Sequence, residues 1–220
     1  MQRGYFITGT DTDVGKTWAT IALMQYFKHQ GKSVVGMKPV AAGCFMHNGR
    51  FCNDDALLIQ AHSSVPIEYA LINPYAYEAP VSPHIAGIDN PVVLDTVLAC
   101  FNQLKEQVEI VLVEGAGGWY SPINMQEDNA DLAKALALPV ILVVAIRLGC
   151  INHAKLSYQA ILYSGVKCAG WIAVCNDPGM LQLEENIGTI KKTLDAPLLG
   201  VLPYCAAADF DALAEAIAVD

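Results

Sequence analysis

A doubly wound α/β fold, with a mainly parallel sheet flanked by helices, is predicted by three features of the sequence. Short β-rich apolar runs alternate with amphipathic stretches of helical spacing, and that βα alternation is the pattern of right-handed crossovers between parallel strands. The composition is 54% hydrophobic and only 16% charged, which suits strands buried on both faces because such strands need few polar positions. Near the N-terminus, a strand-like run passes through a glycine-containing loop straight into a helix. At 220 residues the chain is expected to form a single domain over 1–220, with 206–220 as a less certain, alanine-rich and helical tail.

Taken in order, strands are expected at 5–8, 33–38, 110–113, 140–145, 169–174 and 198–201, each short, apolar and rich in β-branched residues. Between them, helices are expected at 16–30, 54–61, 94–105, 129–138, 152–164 and 181–194, several of them ended by Gly or Pro. The segment 70–91 contains four prolines and reads as an ordered excursion from the repeat. In a doubly wound sheet, ligands bind outside the carboxyl ends of the strands. The chemistry-bearing motifs all fall there.

The first of them is Gly9-Thr10-Asp11-Thr12-Asp13-Val14-Gly15-Lys16-Thr17. After the first strand, this loop runs into the first helix, so backbone N–H groups and a helix N-terminus converge on one point, which binds phosphate. Lys16 is expected on the β/γ-phosphates of a nucleoside triphosphate and the Thr17 hydroxyl on Mg²⁺, as both lie in the first helical turn. The loop is a variant of the P-loop pattern: position 10 is Thr, and the nearest glycine, Gly9, lies one residue further back. The fold is therefore of the P-loop NTPase type. The strand at 110–113 leads into Glu114-Gly115-Ala116-Gly117-Gly118, which puts a carboxylate where such folds hold Mg²⁺ and follows it with backbone that admits phosphate. Asn53-Asp54-Asp55 opens the next helix, and by spacing alone its acidic groups read as caps that complement the helix dipole.

Bulk properties narrow the function further. A formal charge of −9 and a pI near 4.9, without a local Lys/Arg cluster, disfavour a nucleic-acid partner and favour small-molecule chemistry. The longest apolar run, residues 139–146, is far short of the roughly 20 residues that cross a bilayer as a helix, so no membrane partner is expected. Seven cysteines, without a C-x-x-C pair, suit reduced thiols. Met1-Gln2-Arg3 leads directly toward the first strand with no cleavable leader pattern, and a cytoplasmic location is expected.

Five motifs in register, namely the loop from Gly9 to Thr17, Lys38-Pro39-Val40, Ser82-Pro83-His84, Val113-Glu114-Gly115-Ala116-Gly117-Gly118 and Gly149-Cys150-Ile151-Asn152-His153-Ala154, resemble dethiobiotin synthetase. The resemblance runs over about residues 5–204. It implies a homodimeric ligase of biotin synthesis that converts 7,8-diaminopelargonic acid, CO₂ and MgATP into dethiobiotin, ADP and phosphate through a phosphorylated carbamate. Matched residue by residue, it implies Lys38 and Lys16 as catalytic groups and Thr17, Asp55 and Glu114 around Mg²⁺. ATP would be held by Asp13, Val14, Gly15, Lys16, Thr17, Trp18, Asp55, Glu114, Gly115, Ala116 and Gly117, and at the base end by Val174, Asn176, Pro203, Tyr204 and Cys205. The diamine substrate would meet Thr12 and Ala42, and its carboxylate tail would meet Gly149, Cys150, Ile151 and Asn152 across the dimer interface. Lys38 is expected beside the phosphate loop on the assumption that strands one and two are sheet neighbours. The motif Ser82-Pro83-His84 matches without an assignable role, and His153 reads as a capping or core histidine.

Three positions depart from the family pattern. Asp13 replaces a Glu, keeping the charge but shortening its reach. Ala42 stands where relatives often carry a substrate-touching Ser or Thr, removing about 0.5–1.5 kcal/mol of hydrogen bonding. Val174 replaces an Asn that reads the adenine edge, so either Asn176 or the backbone of 203–205 must carry the base, or preference for ATP weakens. Alternative readings are a partitioning-type P-loop ATPase acting as a nucleotide-gated interaction module, an amidoligase and a GTPase. Against the first, the loop has Thr10-Asp11-Thr12 without an early lysine; against the second, there is no length for a glutaminase domain; against the third, there is no Asn-Lys-x-Asp motif.

Overall fold

A computed structural model describes residues 4–219. Met1-Gln2-Arg3 and the last residue of the tail, Asp220, lie outside the described residues. In chain order the elements are β1 (Gly4–Gly9), α1 (Lys16–His29), β2 (Val34–Met37), β3 (Val40–Ala42), β4 (Phe45–His47), β5 (Arg50–Cys52), α2 (Asp54–Ala61), α3 (Tyr69–Ile72), β6 (Tyr75–Tyr77), α4 (Pro83–Ala86), α5 (Leu94–Gln107), β7 (Ile110–Gly118), α6 (Asn129–Leu136), β8 (Val140–Ala145), α7 (Cys150–Tyr163), β9 (Cys168–Val174), α8 (Leu183–Thr193), β10 (Leu198–Leu202) and α9 (Phe210–Glu215).

Six strands form the main sheet in the order β10-β9-β8-β1-β7-β2, and every pairing within it is parallel. Chain connections grow from β1 in both directions across the sheet, which is the doubly wound arrangement that opens a ligand crevice at the carboxyl strand ends. The interior strands β1 and β8 are buried along their whole length, with Phe6, Ile7, Ile141, Leu142 and Val143 fully shielded. That double-sided burial explains the apolar composition.

The order corrects one expectation. β1 and β2 are not neighbours, because β7 lies between them. Lys38, just beyond β2, therefore meets Glu114 in the middle of β7 rather than lying on a strand next to β1. A second difference lies in β7 itself, which does not stop at Val113. Its register with β1 runs on to Gly9↔Gly118, with an irregularity between Ile7 and Gly9, so Glu114 sits inside a strand rather than at its tip. Backbone pairing outweighs the poor strand propensity of glycine there.

The excursion at 70–91 is ordered into α3, β6 and α4, and β6 pairs with β3 in a small parallel sheet. Two residues with left-handed backbone, Asn48 and Gly49, close the hairpin β4–β5, as this dipeptide favours. The tail is helical only over α9, and it docks onto α1 and β10: Trp18 and Phe210 meet edge to face at 5.9 Å, the Tyr26 hydroxyl donates to the Val219 carbonyl at 3.0 Å, and Ala218 N–H donates to the Leu199 carbonyl of β10 at 2.8 Å.

Candidate active site

The loop between β1 and α1 is shaped by packing as much as by sequence. Gly15 adopts φ 87°, and a Cβ there would lie 2.8 Å from a methyl of Val174, so glycine is required on both conformational and steric grounds. The first turn of α1 then brings Lys16 and Thr17 to the head of the cleft, both largely buried. The Lys16 ammonium folds back onto the Asp11 carbonyl at 2.9 Å. Burial pulls this ammonium below the usual lysine value, against the pull of the Glu114 carboxylate and with the repulsion of Lys38.

Glu114 is the hub of the site. It is 1% exposed and accepts three hydrogen bonds: from Thr17 Oγ1 at 2.9 Å, from Thr20 Oγ1 at 3.0 Å and from Lys38 Nζ at 2.9 Å. Lys38 Nζ also pairs with Asp55. A buried carboxylate without partners would be strongly disfavoured, and this one is fully engaged. Burial works against the Lys38 charge, but Glu114 and then Asp55 outweigh it and hold the ammonium above the ordinary lysine value. The lysine is a fixed cation.

Asp55 arrives from the first turn of α2. Asn53 caps that helix, its side chain accepting from Ala56 N–H at 3.3 Å, so the capping role belongs to Asn53 and leaves Asp55 free to face Lys38. Thr17, Asp55 and Glu114 together present a hydroxyl and two carboxylates. Hard oxygen donors of this kind, with Thr17 Oγ1 and Glu114 Oε1 only 2.9 Å apart, fit Mg²⁺.

These groups line a cleft of about 970 Å³. Thr12, Asp13, Gly15, Lys16, Thr17, Trp18, Lys38, Ala42, Asp55, Glu114, Ala116 and Gly117 line it, together with Val174, Asn176, Pro203, Tyr204 and Cys205. Val14 is fully buried behind the loop, and Gly115 faces Phe6 and Asn129 rather than the cleft. Gly149, Cys150, Ile151 and Asn152 are not on this wall either. Gly149 caps α7 with φ 93°, Gly149 and Asn152 are exposed, and Cys150 is buried. His153 is exposed, so it is not a core histidine. Asn176 is turned to the loop, its Nδ2 donating to the Asp13 carbonyl at 3.2 Å.

Several residues on or around the cleft wall escaped the sequence reading. Thr20 lies one helical turn after Thr17, a spacing that could have flagged it as a second hydroxyl on the same face. Ser121 accepts from Gly118 N–H at 2.8 Å and fills the space beside Gly117, whose φ is 72°. Ser82 and Pro83, matched in the sequence without a role, stand on the wall with Pro80 and Val81, the Ser82 hydroxyl being 2.9 Å from His84 Nδ1. Arg147 forms an ion pair with Asp11 of the loop at 3.0 Å, which no local pattern announces.

Comparison with known proteins fits this geometry. The family model described as an AAA domain matches residues 3–210. The ATP-dependent dethiobiotin synthetase BioD of Xylella fastidiosa strain 9a5c is 46% identical over 202 residues, covering 91% of this chain and 89% of that protein. The protein of the same name from Aromatoleum aromaticum is 46% identical over 209 residues, covering 94% and 93%. Among solved structures, the septum site-determining protein MinD of Pyrococcus horikoshii, complexed with Mg-ADP, superposes with a TM-score of 0.54 at 17% identity over 92% of this chain and 82% of that one. The signal recognition particle receptor FtsY of Elizabethkingia anophelis gives 0.56 at 15%, over 98% and 65%. At such identities the last two speak for the P-loop NTPase fold alone. With the family model spanning most of the chain and near-full-length relatives at 46% identity, the chain belongs to the ATP-dependent dethiobiotin synthetase family of ligases.

Proposed function

We propose that this enzyme closes the ureido ring of dethiobiotin from 7,8-diaminopelargonic acid and CO₂, with ATP converted to ADP and phosphate. The observation that carries the reading is the convergence of Lys38, Asp55, Glu114 and Thr17 on the phosphate loop within one cleft. One amine of the diamine adds to CO₂ and loses a proton, giving a carbamate. A carbamate oxygen attacks the γ-phosphorus, and the bond to ADP breaks. The second amine then attacks the carbamoyl carbon and gives up a proton to solvent or to the departing phosphate, phosphate leaves with the electrons of the C–O bond, and the ring closes.

Carbamate and γ-phosphate are both anionic, so the approach requires cations set in place beforehand. Lys16 serves the β/γ-phosphates. Lys38 serves the oxygens that gain charge between carbamate and phosphorus, and its raised proton affinity keeps it an electrostatic clamp rather than a general base. Thr17, Asp55 and Glu114 would hold Mg²⁺, which supplies charge neutralisation on the triphosphate when bound. Thr12, Asp13 and Ala42 border the diamine, and the stretch of wall from Val174 and Asn176 to Pro203, Tyr204 and Cys205 borders the base.

The carboxylate tail is assigned to the α7 N-terminus, Gly149 to Asn152, of a second copy in a homodimer. Support comes from the exposed amide end of α7, where a helix dipole favours an anion, and from Leu148 beside it at 94% exposure. The reaction is proposed for the cytoplasm; among the described residues no helix is long and apolar enough to cross a membrane.

The test is purified protein with MgATP, bicarbonate and 7,8-diaminopelargonic acid, following ADP and the cyclic urea together. Equal yields of both are expected. ATP hydrolysis that proceeds at the same rate without the diamine would overturn the ligase assignment in favour of a nucleotide-gated module.

A further inference from the structure

Lys38 follows β2, which is the edge strand of the main sheet, so its backbone has no strand partner on the outer side. The chain supplies a substitute by returning through α3. Lys38 N–H donates to the Ile72 carbonyl at 2.9 Å, and the Lys38 carbonyl accepts from Asn73 Nδ2 at 2.7 Å. Asn73 is 4% exposed, and the same amide nitrogen donates to the Tyr75 carbonyl at 3.2 Å. Its Oδ1 accepts from the Tyr69 hydroxyl at 2.9 Å. That hydroxyl in turn accepts from Asn53 N–H at 2.8 Å, at the residue that caps α2 and so sets where Asp55 begins its turn.

One buried pivot thus holds both ends of an ion pair: the backbone of the lysine and the helix start of the aspartate. Neither Asn73 nor Tyr69 lines the cleft. Burial pushes the Tyr69 hydroxyl up to about 12, so it stays protonated and keeps donating to Asn73 at neutral pH. The amide and the hydroxyl have complementary donors and acceptors, which fixes their orientation and makes the linkage stiff.

We infer that Asn73 and Tyr69 are positioning residues for the phosphoryl-transfer step, fixing Lys38 relative to Asp55. This inference rests on the reading of Lys38 as the cation on the reacting phosphoryl group. Positioning residues behind a charged group commonly matter by about 10- to 100-fold, because small displacements of a clamp are costly to the rate.

The experiment makes Asn73→Ala and Tyr69→Phe, each alone and each combined with Lys38→Ala, and measures turnover, MgATP affinity by calorimetry and unfolding midpoints. Asn73→Ala is expected to lower kcat by about 10-fold or more while MgATP affinity and the KM for the diamine stay within about threefold. In the Lys38→Ala background the same change should cost no more than about twofold, because the group it positions is gone. Tyr69→Phe should follow the same pattern with a smaller loss. A loss of equal size in both backgrounds marks a purely structural role and overturns the inference. Wild-type turnover in Lys38→Ala overturns the reading beneath it, and the inference with it. If Asn73→Ala fails to fold, Tyr69→Phe, which removes a single oxygen, decides by the same comparison.

Discussion

At the phosphate end of the cleft, Lys16, Thr17, Lys38 and Glu114 are all less than 9% exposed and cross-linked to one another or to the loop. At the end proposed for the base, Asn176 and Pro203 are exposed, Tyr204 is 53% exposed, and the buried contributors are the apolar Val174 and Cys175. The contrast follows from what each end must do. Phosphoryl transfer depends on charges fixed before substrate arrives, and buried charges are tolerable only when fully paired. Base recognition needs only enough contact to retain a planar ring. Here the Asn176 amide serves the Asp13 carbonyl and Val174 packs on Gly15, so both side chains brace the phosphate loop.

The largest predicted effect breaks the phosphate end at its hub. Glu114→Ala leaves the Lys38 ammonium with Asp55 alone and frees two threonine hydroxyls, so stability should fall by about 3–5 kcal/mol, read from urea unfolding, and turnover should be lost with it. Next, Lys38→Ala should lower kcat by about 10²- to 10³-fold, as for the loss of one preorganised donor, without a comparable rise in the KM for ATP. The base end should answer on a smaller scale. Val174→Asn adds an amide at the end proposed for the base and should raise the preference for ATP over CTP and GTP by about 2- to 12-fold, the worth of one hydrogen bond, measured as ratios of kcat/KM; no change in the ratios would indicate that backbone groups of 203–205 already read the base.

A further effect concerns pH, away from the cleft wall. Burial pushes the Tyr69 and Tyr77 hydroxyls up to about 12. Both bind their protons more tightly folded than unfolded, so the stability they contribute is complete below about pH 10 and is lost as pH rises toward 12. Denaturant midpoints measured across pH 8–12 should be flat and then fall, and Tyr69→Phe should reduce the slope.

The same contrast explains what the sequence disclosed. The P-loop, Glu114 and the helix over Asp54–Ala61 were legible because each is a local pattern of strand, turn and helix. Lys38 was legible as a residue but misplaced, because sheet order is a long-range property: β7 enters between β1 and β2 only after about seventy intervening residues have formed their own excursion. The extension of β7 through Gly118 was hidden because glycines are poor strand formers, and only the register with β1 makes them one. α7 begins at Cys150 rather than at Asn152, since Gly149 in the left-handed region ends the turn earlier. Asn73 was invisible: nothing local distinguishes it from any asparagine before a proline, and its role exists only once α3 has returned to the sheet edge.

The most direct test of carbamate phosphorylation follows one oxygen atom. With freshly delivered ¹⁸O-labelled CO₂ in unlabelled water, and the diamine already bound with MgATP, attack by a carbamate oxygen on the γ-phosphorus must carry one labelled oxygen into the released phosphate. One ¹⁸O per phosphate at early times is the predicted result. Unlabelled phosphate, formed alongside the cyclic urea, would contradict the account.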